Sequence, residues 1–326
     1  MLYVRNASTN PYFNLAMEEY VMKHFDEDLF MLWRNAPSII VGRNQNTLQE
    51  VNYDYVKARH IPVVRRMSGG GAVFHDLGNI NFTFVQSGES GFSDYAKFTR
   101  PIIDYLKTLG IEAYLQGRND LMIDGKKISG NAQYMEKGRT LHHGTLLFDA
   151  NMTDISEALR VNPLKIQSKG VKSVAKRVGN ISAYLSAPMD VQTFMKGLED
   201  YVAALGGDIR VVDLDQGQLA QVNQLVKEKY ETWEWNFGYS PRYSFNKEGY
   251  YESGMIEAHL DVSSGGIIEK VRINGDFFGM ADIGVIEQAL IGVRHEYEAM
   301  ANVLETFDIP RYCAGMDAKR LAKALI

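Results

Sequence analysis

Three features of the 326-residue chain predict an α+β fold in two domains, a large mixed-sheet domain with helices followed by a small α+β domain. Strand-like segments dominate residues 30–148, and the signals between them are hairpin turns rather than repeated βαβ units. Two helical segments, 189–205 and 217–230, then follow as covers for the sheet. After an aromatic stretch broken by Gly238 and Pro241, a second and shorter set of strands and helices begins, which sets the domains at 1–242 and 243–326.

The elements follow in order. PYFNLAMEEYVMKHF (11–25) spaces Leu15, Ala16, Tyr20 and Phe25 along one helical face and leaves Glu18 and Glu19 toward solvent. FMLWR (30–34) and SIIVG (38–42) read as strands around the turn residues Asn35 and Pro37, ending at the polar group Arg43, Asn44, Gln45 and Asn46. IPVVRR (61–66) is a third strand, and NINFTFV (79–85) alternates Ile80, Phe82 and Phe84 with Asn81 and Thr83 as a half-buried strand does. GFSDYAKFTRPIIDYLKTLG (91–110) is helical by period, kinked or begun late at Pro101 and closed by Gly110. EAYLQ, then LMI and KKIS around the hairpin pair Asp124-Gly125, and TLHHGTLLF (140–148) complete the sheet. In the helix over 217–230, Leu219, Val222, Val226 and Tyr230 share one face. The small domain reads as strands MIEAHLDV (255–262) and IIEKVRI (267–273), a further hairpin turn at Asn274-Gly275, and helices over 284–291, 295–306 and 317–325.

Composition narrows the function classes. With 45% hydrophobic and 23% charged residues the chain is neither disordered nor fibrous. A net charge of −5 argues against a general nucleic-acid binder. No run approaches the roughly 20 apolar residues of a membrane span, so a cytoplasmic protein without a membrane partner is expected. Cys313 is the one cysteine, which excludes an internal disulfide, a Cys-based zinc cluster and a Cys-x-x-Cys redox pair.

Candidate chemistry concentrates in four segments. RRMSGGGAVFHDLGN (65–79) sets Gly69, Gly70 and Gly71 beside two arginines and Ser68. Such a run either bends a hairpin or frees successive N–H groups to cradle an anion, with the arginines and serine adding donors for a planar anion. It matches neither the P-loop nor the dinucleotide fingerprint. KKISGNAQ (126–133) puts Lys126 and Lys127 on opposite faces of a strand, so only one can enter a site; Ser129 and Gly130 repeat the small-polar-plus-glycine chemistry. LHHGTLLF (141–148) likewise opposes His142 and His143, without a carboxylate at metal-ligand spacing. LKIQSKGVKSVAKRVGN (164–180) carries five basic residues and no acid, suiting either solvent, a polyphosphate or an acidic partner.

Taken together, RRMSGGGAVFHDLGNINFTF (65–84), RNDLMIDGKKISGNAQ (118–133), LHHGTLLF and KSVAKRVGNI (172–181) resemble the lipoate-protein ligase family, with support from NLAMEEY (14–20) and GRNQN (42–46). WEWNFGYSP and GDFFGMADIGVIEQALIG (275–292) resemble its linker and small carboxy-terminal domain. The resemblance implies the class II aminoacyl-tRNA synthetase / biotin-lipoate protein ligase fold and a two-step, Mg²⁺- and ATP-dependent reaction. Lipoate is activated to lipoyl-AMP, and the lipoyl group passes to a lysine of an apo lipoyl domain, in the glycine-cleavage H protein or a 2-oxoacid dehydrogenase E2. It implies Lys127 as the essential lysine. The lipoyl-AMP site would comprise Arg66, Ser68, Gly69, Gly70, Gly71, Ala72 and Val73 with His75 and Asn79 close by, together with Asn119, Ser129, Gly130 and His143. Lys172, Lys176 and Arg177 would meet ATP phosphates, and the Mg²⁺ ligands are left open. Biotin ligases of similar architecture carry a Gly-Arg-Gly-Arg type loop that is missing here. An acyl transferase without ATP activation and a non-catalytic lipoyl-adenylate carrier are the alternatives.

Overall fold

The computed structural model describes residues 1–88, 93–159, 178–205 and 209–326. The chain forms two compact units, one of Met1–Gln45 with Glu50–Thr232, the other of Asn46–Gln49 with Trp233–Ile326. Among the described residues no helix is long and apolar enough to cross a membrane.

Among the described residues the first unit contains the strands β1 Leu2–Val4, β2 Leu29–Trp33, β3 Ser38–Val41, β4 Val63–Arg65, β5 Val73–His75, β6 Asn79–Ser87, β7 Tyr114–Gln116, β8 Asp120–Ile123, β9 Lys126–Glu136, β10 Arg139–Leu147 and β11 Arg210–Val212. Eight form a mixed sheet in the order β11-β1-β2-β6-β10-β9-β8-β7, and β4-β3-β5 form a second, three-stranded sheet. The segments 30–34 and 38–42, adjacent in sequence, therefore enter different sheets. Between β8 and β9 the backbone turns at Asp124 (φ 48°) and Gly125 (φ 73°), the left-handed pair that a two-residue hairpin requires.

One face of the large sheet carries the main core. Leu32, Phe30, Phe82, Phe84, Leu121 and Leu146 pack there against Phe98, Ile102 and Leu106 of the helix Tyr95–Thr108 and Phe194 and Leu198 of the helix Val191–Leu205. Seven of the nine residues of β6 are buried, so this strand is covered on both faces rather than half-buried as its alternation suggested. The helix Tyr95–Thr108 starts six residues before Pro101, because Asp94 caps it by accepting from the Lys97 N–H. Proline is tolerated in its interior, where packing of Phe98 and Ile102 outweighs one missing backbone bond.

The helix Pro11–His24 corrects the sequence reading most sharply. Glu18 and Glu19 are 1% and 3% exposed. Charge suggests the solvated side, but both carboxyl groups find partners inside. Lys229 Nζ and Tyr230 Oη each donate to Glu19 at 2.6 Å, and Lys23 Nζ donates at 2.6 Å. Leu219, expected on the apolar face, is 37% exposed, while Val222, Val226 and Tyr230 are buried.

In the second unit three antiparallel strands, β12 Tyr243–Tyr251, β13 Gly254–Val262 and β14 Ile268–Gly275, pack with the helices Gly284–Leu290, Tyr297–Leu304, Ile309–Tyr312 and Ala318–Ala324. Strand β12 escaped the sequence reading because Asn246, Glu248 and Tyr250 dilute its pattern. Asn274-Gly275 is not a turn. Both residues pair with β13, and glycine is needed there because a Cβ would lie 2.0 Å from the Met255 carbonyl oxygen.

Burial alone raises the pKa of Glu19, and the bonds from Lys229, Lys23 and Tyr230 more than reverse it, leaving a net depression. Stability from this carboxylate is therefore present above the ordinary carboxylate range, near about pH 4.3, and is lost as pH falls through the lower folded value. Urea unfolding at pH 7 and pH 4 should show Glu19→Gln destabilised by roughly 1–3 kcal/mol at pH 7, with a smaller difference at pH 4.

Candidate active site

The face of the large sheet opposite the core carries a row that runs across five strands. Trp33 of β2 pairs with Asn81 of β6, Asn81 with Thr145 of β10, and Gly130 of β9 with Asp120 of β8. The Gly130 N–H donates to Thr145 Oγ1 at 3.3 Å and closes the row. At about 4.8 Å per strand, the row spans roughly 19 Å from Trp33 to Asp120.

Two cavities lie along it. The smaller, about 160 Å³, is lined by Leu15, Trp33, Ile40, Asn81 and His75 at one end and by Asn119, Lys127 and Gly130 at the other. The larger, about 690 Å³, is lined by Asn79, Gln116, Asp120, Met122 and Ser129 among others. Ala72, Val73, Lys127, Gly130 and Thr145 line both. Lys127 thus stands where the two meet.

The glycine loop owes its shape to the arginines. Arg66 is buried, and its guanidinium donates from Nη2 to the carbonyls of Gly69 (2.7 Å) and Gly71 (2.8 Å), from Nη1 to Ile40 and from Nε to Ser68 Oγ. Arg65, fully buried, donates from Nη1 to the carbonyls of Gly42, Arg43 and Gln45. Both arginines, read from sequence as anion donors, brace backbone here. Gly70 has φ 95°, and a Cβ on Gly42 would lie 2.1 Å from the Gly70 oxygen. At Gly69 and Gly71 no described residue comes within 4 Å of a Cβ, so among the described residues the space beside them is open.

Lys127 arches back over Gly130. Its Nζ lies 3.0 Å from where a Gly130 Cβ would stand, so a side chain there would displace the ammonium. The ammonium pairs with Asp120 at 2.7 Å, both side chains 38% exposed. The Gly179 N–H donates to the Lys127 carbonyl at 2.9 Å, so the described end of the basic segment is fastened to β9. Lys172, Lys176 and Arg177 lie outside the described residues, as does the rest of 160–177; Leu159 and Val178, on either side of it, both line the larger cavity.

A chain of buried polar groups supports the other side. Ser68 Oγ is 2.5 Å from His143 Nε2, and His143 Nδ1 is 2.9 Å from Glu18 Oε1. Thr83 Oγ1 donates to the same carboxyl oxygen at 2.7 Å and accepts from Trp33 Nε1 at 3.0 Å. With Nδ1–H on Glu18, His143 turns Nε2 to Ser68 Oγ, and its ring lines the small cavity as a fixed edge. His142 faces the opposite way, between Phe82 and Phe98, and desolvation first, then His143, lower its pKa to about 3. Asn119 and Asn131 tie β8 to β9 through Nδ2 donors to each other's carbonyls, and Asn131 also donates to Ser129 Oγ. Glu18, Trp33, Asn81, Asp120 and Thr145 were not singled out from sequence, because strand register and helix packing, not spacing, bring them here.

Residues 10–203 match the model of the lipoyl protein ligase A/B catalytic domain, and residues 240–325 that of the bacterial lipoate protein ligase C-terminus. The chain belongs to the lipoate-protein ligase family. Within the family it is 42% identical over 325 residues to lipoate–protein ligase 1 of Staphylococcus aureus, covering 98% of both chains, and 44% identical over 318 residues to a lipoate-protein ligase of Bacillus subtilis, covering 96% of both. Three solved structures share the fold. A bipartite lipoate protein ligase of Thermoplasma acidophilum, described with its E2 lipoyl domain, aligns with TM-score 0.65 and 29% identity over 73% of this chain and 96% of that one. A Thermoplasma acidophilum protein with bound lipoic acid aligns with TM-score 0.62 and 27% identity over 73% and 98%. A lipoate-protein ligase A bound with ATP aligns with TM-score 0.61 and 28% identity over 73% and 97%. This mixed α+β architecture is that of the biotin-lipoate protein ligase class, as expected from the sequence.

Gly42→Ala should lower stability by about 1–3 kcal/mol, since backbone must move. Gly69→Ala and Gly71→Ala should leave the unfolding free energy in urea within about 0.5 kcal/mol of the wild type, because no described residue comes within 4 Å of their Cβ atoms. Loss of stability in all three would assign the glycines to folding alone.

Proposed function

We propose that this protein is an ATP-dependent lipoate-protein ligase that converts free lipoate to lipoyl-AMP with release of pyrophosphate, then transfers the lipoyl group to a lysine ε-amine of an apo lipoyl domain with release of AMP. The observation that carries the reading is the position of Lys127 between two cavities of different chemistry. The small one offers Leu15, Trp33 and Ile40 to an acyl tail. The larger one, flanked by the ends of the basic segment, suits a nucleotide, with Lys172, Lys176 and Arg177 proposed for its phosphates. An ammonium at the junction meets the acyl carbonyl and the α-phosphate together, where negative charge grows in both half-reactions.

The other residues keep supporting roles in this reading. Open space beside Gly69 and Gly71 lets the acyl-adenylate lie against backbone N–H groups, with Ala72 and Val73 along its length. Arg66, Ser68 and His143 hold the shape of that wall, and Asn119, Asn79, Ser129 and Gly130 border the reacting centre. Mg²⁺ would come with the ATP phosphates; Asp120, a carboxylate on the larger cavity, has the oxygen chemistry such an ion takes. A thioester route is disfavoured because the single thiol, Cys313, is buried in the second unit. Catalysis is assigned to 1–242 and an accessory role to 243–326. The acceptors proposed are lipoyl domains of the glycine-cleavage H protein or dehydrogenase E2 components, reached in the cytoplasm.

Wild type incubated with lipoate, Mg-ATP and an apo lipoyl domain should add one lipoyl mass to the domain by intact mass spectrometry. Folded Lys127→Ala should slow both lipoate-dependent ATP–pyrophosphate exchange and transfer by about 10²–10³-fold. Undiminished exchange in that variant would remove Lys127 from the chemistry; no exchange in wild type would remove the ligase reading.

A further inference from the structure

The apolar end of the small cavity is bordered by two buried polar residues, His75 and Asn81. His75 Nε2 and Asn81 Nδ2 are buried and meet no partner among the described residues. Both residues line this cavity beside Trp33, Asn81 as its cross-strand neighbour and His75 with ring centroids 6.4 Å apart. His75 is 3% and Asn81 2% exposed. Unpaired buried donors are costly, so their presence in an otherwise apolar wall requires a cause.

The proton on His75 is set from a distance. Asn14 Nδ2 lies 3.0 Å from the Ser8 carbonyl oxygen and 2.9 Å from that of Arg34; backbone carbonyls only accept, so the amino group of Asn14 points that way. Asn6 Nδ2 donates to the other end of the Asn14 amide at 2.9 Å. The same Asn14 amino group is 2.8 Å from Asn35 Oδ1, which fixes Asn35 with its oxygen toward Asn14. Asn35 Nδ2 then donates to His75 Nδ1 at 3.0 Å. An accepting Nδ1 leaves the single proton of a neutral imidazole on Nε2. Desolvation, then Arg66 and His143, keep the ring neutral by lowering its pKa to about 3. Asn81 Oδ1 accepts from Asn79 Nδ2 at 3.2 Å, and with the amides so oriented the Asn81 amino group and Asn79 Oδ1 are the unpaired ends.

We propose that His75 Nε2–H and Asn81 Nδ2–H, the first aimed by the Asn6–Asn14–Asn35 relay, are specificity-determining donors that favour an acyl tail ending in acceptor atoms, the two ring sulfurs of lipoate, over an all-hydrocarbon tail such as octanoate. The inference rests on the reading that the small cavity holds the acyl tail. The row geometry puts Asn81 three strands from Asp120, which pairs with Lys127, and His75 lies at the same end beside Trp33. A carboxylate held at Lys127 therefore leaves the tail, not the reacting end, beside them. A hydrocarbon tail strands both donors in a site closed to water, whereas sulfur accepts weakly, so the preference is modest, about 5–20-fold in kcat/KM.

The test compares lipoate- and octanoate-dependent ATP–pyrophosphate exchange by full-length wild type, His75→Gln, His75→Leu and Asn35→Leu, with ¹⁵N-histidine NMR of wild type and Asn35→Leu. Wild type should favour lipoate by about 5–20-fold and show the Nε2–H tautomer at His75. His75→Gln, which keeps a donor near the Nε2 position, should retain the preference. His75→Leu and Asn35→Leu should bring the ratio toward unity, and Asn35→Leu should mix the tautomers; a merely structural defect would slow both acids alike and leave the ratio. Equal use of the two acids by wild type, or an Nδ1–H tautomer, would overturn the inference and leave the ligase reading standing. Exchange with neither acid would overturn both.

Discussion

Two buried guanidinium groups hold the glycine loop and the 42–45 loop that meets it, and the site depends on them. Arg66 gathers the carbonyls of Gly69 and Gly71, and Arg65 those of Gly42, Arg43 and Gln45. Burying a guanidinium is costly unless its donors are used, and loops whose own carbonyls turn inward supply acceptors. The same bonds turn the loop's other edge toward the cavity. Remove the brace and the contact between Gly42 and the Gly70 oxygen loses its purpose, and with it the wall that Ala72 and Val73 continue.

The large sheet divides labour between its faces. One face is filled by Phe30, Phe82, Phe84 and their helical neighbours, which fixes the strand register to within a residue, because a slip would turn the core outward. Register then does the functional work. It places Trp33, Asn81, Thr145, Gly130 and Asp120 in line on the other face, although they come from five strands widely separated in sequence. Lys127 and Lys126 illustrate the same alternation, with one lysine over Gly130 at the junction of the cavities and the other beside Gly179.

Buried polar groups in this unit are mostly organised into relays. Glu18, Thr83 and Trp33 orient His143; Asn6, Asn14 and Asn35 orient His75; Gln133 and Asn131 hold His142. His75 and His142 are each thereby given one tautomer and His143 one ring orientation, which a lone histidine in a cavity wall would not have. The three histidines differ in use for the same reason that they differ in place: His142 lies among aromatic rings of the core, while His75 and His143 edge the cavity.

The sequence by itself determined the local chemistry: the glycine run with its arginines, the Lys127-x-x-Gly130 spacing, the Asp124-Gly125 hairpin, the family and its mixed α+β architecture. These were legible because backbone needs such as positive φ and close approach are written as glycine, and because strand and helix periods are local. Tertiary structure alone decided which charges go inside. Glu18 and Glu19 look solvated on their helix, yet partners from β6, β10 and the 229–230 segment, far along the chain, draw them in. It also decided that Arg65 and Arg66 brace backbone, that Asp120 faces Lys127, and that Asn35 sets the proton on His75. A hydrogen-bond partner is a matter of where two chains cross, and no spacing within one segment records that crossing.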